Sequence, residues 1–320
     1  MTARRSAVLL AGATGVLGRR IAPLLVGRGH RVVALVRDVR APHHGEVVRD
    51  LEGLGVEIVE GDVLDAEVVA SAVAAAAPEV LMHQLTDLRT GDSASNAVLR
   101  RRATAVLASA ARAAGTPRVI AQSISWAYAP LDRPATEDTP LDVDAVELGR
   151  RRTVGAIAEL EAAISVAPTA IALRYGVLYG PGTWFAADGD RAADAFARRL
   201  VADDAVTSFV HVDDAARAAV DALDWPSGPV NICDDEPVAA RSWVPLYCAA
   251  LGAPTPPEAD RTDRAGPRRP TGHGADNGRA RRLGWDPLYP SWRTTHLASP
   301  SSSAAPPAGH APDPTVQRRR

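Results

Sequence analysis

The 320-residue chain contains no lysine; all 36 of its Lys and Arg positions are arginine. There is therefore no amine side chain to form a Schiff base, hook a phosphate or tune a neighbour's pKa. Cysteine is almost as scarce. Cys233 and Cys248 are too few for a disulfide framework and suit a reducing cytoplasm. Aromatic residues make up 4%, so the core has to come mainly from Ala, Val and Leu. Long apolar runs are missing as well. None approaches the ~20 residues of a membrane span, and the N-terminal MTARRSAVLLAGATG breaks into glycines too early for a signal-peptide core. Nor is there an excess of one charge. A net charge of −2 gives no handle for a polyanion, and the arginine triplets 100–102, 150–152 and 318–320 read as helix surface or tail. No His/Cys/Asp spacing outlines a metal site, and the pair His43–His44 lies in a polar loop. The expectation is a soluble, cytoplasmic monomer or homodimer that meets a small molecule rather than nucleic acid or membrane.

What is present is strand alternating with helix. SAVLLAGATG is a short, continuously apolar run ending in glycines, as in a strand buried on both faces. Helical spacing follows from Val16, and HRVVALVRD and GVEIVEGDV read as the second and third strands. A helix over EVVASAVAAAA breaks at Pro78 before a fourth strand in VLMHQL. The long helix NAVLRRRATAVLASAARAAG, the strand PRVIAQSIS, a helix over 150–166 and the strand TAIALRYGVLYG complete the pattern. This order predicts an α/β fold, a Rossmann-type doubly wound parallel sheet. Residues 1–180 form that domain, and 207–224, carrying SFVHVDDAARAAVDAL, return to it. The Pro-rich stretches 181–206 and 225–298 read as a smaller C-terminal substrate lobe, and 299–320 as a disordered tail.

AGATGVLG places Gly12, Gly15 and Gly18 at G-x-x-G-x-x-G spacing, after a strand and at the start of a helix. Gly12 permits a tight turn, Gly15 lets backbone N–H groups approach a pyrophosphate, and Gly18 lets helix and strand pack closely. That spacing and context point to dinucleotide binding. The second strand ends with Arg37 and then Asp38. Arginine suits the 2′-phosphate of NADP(H), so NADP(H) is preferred; Asp38 leaves NAD(H) open. Asp62, in GDVLD, fits either an adenine contact or a helix N-cap.

With GATGVLG, GDVLD, LRYGVLYGPGT and FVHVDDAARA in this order, the chain resembles the extended short-chain dehydrogenase/reductase family, the NAD-dependent epimerase/dehydratase group, over about residues 1–295. The resemblance implies a cofactor site formed by Gly12, Thr14, Gly15, Val16, Leu17 and Gly18, with Asp62 and Val63 near the adenine. It implies that the loop Gln84, Leu85 and Thr86 covers the cofactor, that Tyr175 lies beside the nicotinamide, and that His211 and Asp213 belong to a joint holding the second lobe. It also implies a Ser or Thr, a Tyr, and a Lys four residues later as the catalytic set. On the RRRTVGAIAELE helix the last two positions fall near Thr153 and Ile157, and no register supplies the pair. An asparagine usual on the preceding helix is replaced, with Arg100 at about its place.

The serine position of the resemblance falls on Ile124, between Ser123 and Ser125, which alternation puts together on the opposite face. A local shift would present either serine to the pocket, and bonding to neighbouring backbone would account for both equally well. Tyr128 leaves the same strand end and belongs on the catalytic rim, so Ser123, Ser125 and Tyr128 are the catalytic candidates; packing alone would also explain the tyrosine. Tyr179, Asp87 and Glu137 are further acid–base candidates, and His83 reads as packed inside the fourth strand. Nucleotide-sugar members of the family carry an arginine before the FVHVDD motif, where this chain has Thr207 and Ser208. With Trp184, Phe185, Trp243 and Trp292 in the small lobe, a less charged carbonyl or hydroxyl compound of secondary metabolism fits better. Three functions remain: an NADP(H)-dependent oxidoreductase with a substitute proton donor, a non-redox isomerase, cyclase or dehydratase that keeps the cofactor as scaffold, and a non-catalytic NADP(H) sensor.

Overall fold

The apolar runs form the strands of one parallel sheet, and the helices between them cover its two faces. The computed structural model describes residues 5–41, 44–86, 93–257 and 273–295; His43, Asp87 and the 299–320 tail lie outside them. In chain order the first half runs β1 (Ala7–Ala11), α1 (Gly18–Gly27), β2 (Arg31–Val36), α2 (Gly45–Gly53), β3 (Glu57–Glu60), α3 (Ala66–Ala76) and β4 (Val80–His83). It continues with α4 (Ser93–Ala113), β5 (Arg118–Ile124), α5 (Leu148–Ile164) and β6 (Thr169–Tyr175). The second half adds β7 (Val177–Tyr179), α6 (Asp190–Phe196), β8 (Val206–Thr207), β9 (Phe209–His211), α7 (Val212–Asp221), β10 (Gly228–Ile232), β11 (Val238–Ala239), α8 (Ala240–Leu251) and α9 (Gly278–Arg282).

The central sheet has seven strands in the order β3-β2-β1-β4-β5-β6-β10, all paired in parallel. The order reverses between β1 and β4, and that switch point is where a doubly wound sheet opens a crevice at its carboxyl edge. One face buries Val8, Leu10, Ile120 and Ile171 under Ile21 and Leu25 of α1 and Ala215 and Ala219 of α7. The other buries Leu9, Leu81 and Val119 under Val73 of α3, Leu107 of α4 and Leu160 of α5. Because β strands buried on both faces need apolar side chains throughout, their sequences are runs rather than alternations.

Two details depart from the sequence reading. β10 lies in the stretch assigned to the lobe, yet it pairs with β6 from Gly228↔Ile171 to Ile232↔Tyr175 and is a strand of the central sheet. The N-cap of α3 is Asp65, which accepts from the N–H groups of Glu67 and Val68 at 3.0 and 3.1 Å, while Asp62 only closes a turn onto the Leu64 N–H at 2.9 Å.

Off the central sheet β7 pairs in parallel with β9 of the returning 207–224 segment, and the smaller lobe adds the antiparallel pair β8 and β11. Its core is aromatic. Phe185 and Phe209 meet edge to face at 5.4 Å between ring centroids, and Trp243 lies 5.5 Å from Phe209 and 5.6 Å from Phe185. Phe185, Trp243 and Trp292 are therefore packing residues at 7% exposure or less, not pocket lining, and Trp184 is covered by the Arg191 guanidinium at 5.7 Å. Two buried carboxylates pin the returning C-terminal segment. Asp214 accepts from the N–H groups of Leu288 and Tyr289, each at 2.8 Å, and Asp234 accepts from that of Trp292 at 2.9 Å. Burial raises the Asp234 carboxyl to about 7.

Candidate active site

The glycine loop has the geometry its sequence demands. Gly12 sits at φ +98°, where a side chain is strained, and a Cβ there would lie 2.7 Å from the Gln84 carbonyl oxygen. A Cβ on Gly18 would fall 2.1 Å from the Gly12 oxygen, so helix and turn touch only because it is absent. Gly15 is different: it is exposed, and its nearest neighbour would be the Gly12 oxygen at 3.3 Å. The backbone N–H groups of Thr14, Val16 and Leu17 donate to nothing among the described residues. Orphan donors at the start of α1, beside an open glycine, fit the pyrophosphate of a dinucleotide. Arg20 fastens this loop to the lobe joint, donating to the Val16 carbonyl at 3.0 Å, the Pro181 carbonyl at 2.7 Å and Asp213 at 2.8 Å.

Arg37 and Asp38 both lie exposed just past β2, with one Asp38 oxygen occupied by the Arg40 N–H at 2.9 Å. Asp62 is exposed, whereas Val63 and Leu17 are buried in the two sheet cores and offer only backbone. Leu85 and Thr86 are half-buried at the end of β4. Tyr175 ends β6 at 2% exposure and donates to Gln84 Oε1 at 3.4 Å; burial raises its phenol pKa. His83 is packed, as its place in β4 required. Its Nε2 meets Thr104 Oγ1 at 2.9 Å, and burial, with the Arg100 charge adding to it, lowers its pKa to about 4. His211 caps α7 by accepting from the Asp213 N–H at 3.3 Å and stacks on Tyr289 at 3.9 Å, the joint expected of it.

Of the three catalytic candidates, Ser123 and Tyr128 are spent in one buried network and Ser125 is not. Ser123 is fully buried and donates to Glu161 Oε1 at 2.7 Å. Glu161 is held by both arms of Arg174, at 2.8 and 2.6 Å. Arg174 in turn donates to the Tyr128 hydroxyl at 2.9 Å, and that hydroxyl donates to Asn231 Oδ1 at 2.5 Å. Asn231 spends its amide on the carbonyls of Ala135 and Asp276, and its N–H on Glu137 at 2.8 Å. Tyr128 was expected on the rim; it is 1% exposed, and burial lifts its pKa to about 12 against the pull of Arg174. Burial also works against the Arg174 charge, but its bonds and attraction to Glu161 outweigh that and hold its pKa above the usual value. Tyr179 is fully buried, packed at right angles to Phe209. Of the three candidates only Ser125 keeps a hydroxyl with no partner among the described residues; its N–H donates to the Tyr175 carbonyl at 2.9 Å.

Ile124, expected on the face away from the serines, packs against α5 with Ala127, Val154 and Ile157, because the strand ends there and the chain turns at 125–126. Thr153 spends its hydroxyl on the Gly149 carbonyl at 3.0 Å. The strand end and the α5 face that a Ser–Tyr–Lys set would occupy are therefore hydrocarbon. Trp126, in the same turn, is 45% exposed, an aromatic that the sequence motifs did not single out. Its only early signal was its place between the serines and Tyr128.

The strand order and glycine cradle define a dinucleotide-binding α/β enzyme. The family model for the NAD dependent epimerase/dehydratase family matches residues 8–233. A 3-diazoavenalumate denitrifying reductase from a Streptomyces species is 46% identical over 307 residues, covering 89% of this chain and 97% of that protein. Among solved structures, the Bordetella bronchiseptica enzyme WbmH in complex with NAD+ is similar at a TM-score of 0.68 and 21% identity, covering 87% of this chain and 91% of its own. UDP-glucose 4-epimerase from Thermus thermophilus, in complex with NAD, matches at 0.67 and 22%, covering 88% and 94%. The chain belongs to the NAD dependent epimerase/dehydratase family. Among the described residues no helix is long and apolar enough to cross a membrane, and no cluster of His, Cys, Asp and Glu could hold a metal ion.

Proposed function

We propose that the chain is a reductase that removes the diazo group of a small aromatic acid as dinitrogen, using NADP(H). One observation carries this reading: where the family's proton-transferring set is expected, Ile124, Val154 and Ile157 form an apolar cluster, and the chain has no lysine. Reducing a carbonyl takes a hydride at carbon and a proton at oxygen, so it needs an acid. An arenediazonium ion does not. It accepts a hydride at the ring carbon, the carbon–nitrogen bond breaks, and its electron pair leaves with N2; arene and dinitrogen balance the equation with no proton moved. The named activity of the Streptomyces relative, on a diazo acid and with loss of nitrogen, agrees with that arithmetic.

The reduced nicotinamide, when bound, supplies the hydride. Gly12, Thr14, Gly15, Val16, Leu17 and Gly18 hold the pyrophosphate through backbone N–H groups, Arg37 pairs with the 2′-phosphate, and Asp62 and Val63 border the adenine. Leu85, Thr86 and Tyr175 wall the nicotinamide. Ser125 offers the substrate a hydrogen bond, and the Ile124 cluster keeps water from the reacting carbon. Trp126 gives an arene a face to stack on.

Turnover of an arenediazonium carboxylate in D2O tests the reading. The expected product is the nitrogen-free arene with no solvent deuterium, and NADPH labelled at C4 should place its deuterium on the ring. An arene carrying solvent deuterium, or a product that keeps nitrogen, would sink it.

A further inference from the structure

Arg100, on α4, is 6% exposed, and no hydrogen bond or ion pair meets its guanidinium among the described residues. Burial lowers its pKa to about 10, which still leaves it a cation at neutral pH. The contrast with Arg174 is direct, since that buried arginine is answered by Glu161. Among the described residues no acid is placed to do the same. The helix α4, SASNAVLRRRATAVLASAARA, contains no Asp or Glu, and neither does β4 or β5. On α5 Glu159 is bound to Arg101 and Glu161 to Arg174 and Ser123, while Glu67 on α3 faces solvent. An unpaired buried charge is costly, so a chain that keeps one keeps it for an anion that arrives.

The position narrows what arrives. Arg100 lies one turn before Thr104, the residue that His83 meets, and α4 runs back along the sheet from the end of β4. Arg100 therefore stands toward the carboxyl edge, where doubly wound sheets bind ligands. It is also on the α3–α4–α5 face, whereas the phosphate cradle opens at α1 on the other face. A cofactor phosphate is thus the wrong anion for it. We infer that Arg100 is the anchor for a carboxylate on the substrate, holding an aromatic acid by its acid end with the ring over the Ile124 cluster. This rests on the proposed reductase reading for the aromatic skeleton, but the anion site itself can be tried without turnover.

Sodium cinnamate and cinnamide serve as probes, measured by calorimetry on the full chain with NADP+ present. The unaltered protein should bind cinnamate at least roughly tenfold tighter than cinnamide, as a charge-assisted pair implies. Arg100→Met should bind the two alike, Arg100→Lys should keep part of the preference, and NADP+ affinity should stay within about threefold in all three. Without ligand, Arg100→Met should melt at or above the temperature of the unaltered protein, because a lone buried charge is gone. A lower melting temperature would mean that an internal carboxylate already pairs with Arg100, and would overturn the inference. So would cinnamate binding that ignores Arg100, or loss of NADP+ affinity with it. Cinnamate selectivity that depends on Arg100 without diazo turnover upholds the anion site and removes the reductase reading. Diazo turnover with no such selectivity does the reverse.

Discussion

Arg174 grips both carboxylate oxygens of Glu161, at 2.8 and 2.6 Å, across the contact between β6 and α5. Their side chains are 6% and 15% exposed, so neither charge has water to fall back on. Glu161→Gln should therefore destabilise the protein by about 3–5 kcal/mol, the cost of leaving a buried charge unanswered. The double change Glu161→Leu with Arg174→Met should cost less than either single one. Urea denaturation of the unaltered protein, Glu161→Leu, Arg174→Met and the double mutant measures this, and additive losses would show the pair to be uncoupled.

Tyr128 is the far end of the same network. Tyr128→Phe removes the acceptor of Arg174 and the donor to Asn231, so it should lower stability by about 1–3 kcal/mol. Turnover should stay within about threefold. A fall of ~100-fold in kcat, with the fold intact, would restore the tyrosine as a proton donor.

The glycine loop allows a sharper comparison. A methyl group on Gly18 collides with backbone 2.1 Å away, whereas one on Gly15 meets only the Gly12 oxygen at 3.3 Å and otherwise faces outward. Gly18→Ala should lower the melting temperature of the ligand-free protein by several degrees, roughly what a loss of 1–2 kcal/mol produces. Gly15→Ala should leave it nearly unchanged while weakening NADP(H) binding about tenfold or more. Equal binding by Gly15→Ala and the unaltered protein would move the phosphates elsewhere.

In the proposed reading cofactor choice falls to Arg37, which is exposed just past β2. The unaltered protein should prefer NADP(H), and Arg37→Ala should remove the preference at a cost on the order of 1–3 kcal/mol. Equal affinities for NAD(H) and NADP(H) before mutation would leave Arg37 without that role, and Asp38 would become the better candidate.

Asp234 gives a pH dependence with a definite sign. Burial raises its pKa in the folded chain from 3.8 to about 7. Between those values the folded state holds a proton that the unfolded state has lost, so this group's contribution fades as pH rises from about 4 through 7. Asp234→Asn should flatten that slope, which is at most about 1.4 kcal/mol per pH unit for one proton. Urea midpoints at pH 5 and pH 8 for both proteins give the answer; parallel curves would rule out the titration.

Much of the fold was legible because it is written locally. β1 and β2, and the glycines between β1 and α1, follow from runs of like residues and from one spacing. β10 was missed because Pro229 argues against a strand, and only its place at the sheet edge, where a missing N–H harms no ladder, makes it tolerable. The site was less legible because its partners are far apart in the chain. Tyr128 reads as a rim residue until Asn231, 103 positions away, accepts its hydrogen bond. The tryptophans of the lobe fail for the same reason, since composition does not say whether a ring lines a pocket or fills a core. Ile124 between two serines was visible from the start, but its contact with Val154 and Ile157 was needed to show that the gap is sealed with hydrocarbon.

The burial of the tyrosines has one more consequence. Of the five, Tyr128, Tyr175, Tyr179 and Tyr247 are at most 2% exposed, and no lysine stands anywhere on the surface. Phenolates, amines and imidazoles are the side chains that couple to a diazonium electrophile. A protein that handles such a compound is exposed to its own substrate as a labelling reagent. Under the proposed reading, self-labelling among the described residues would then fall on the half-buried His30, His44, His273 and Tyr289 rather than on amines or the buried phenols.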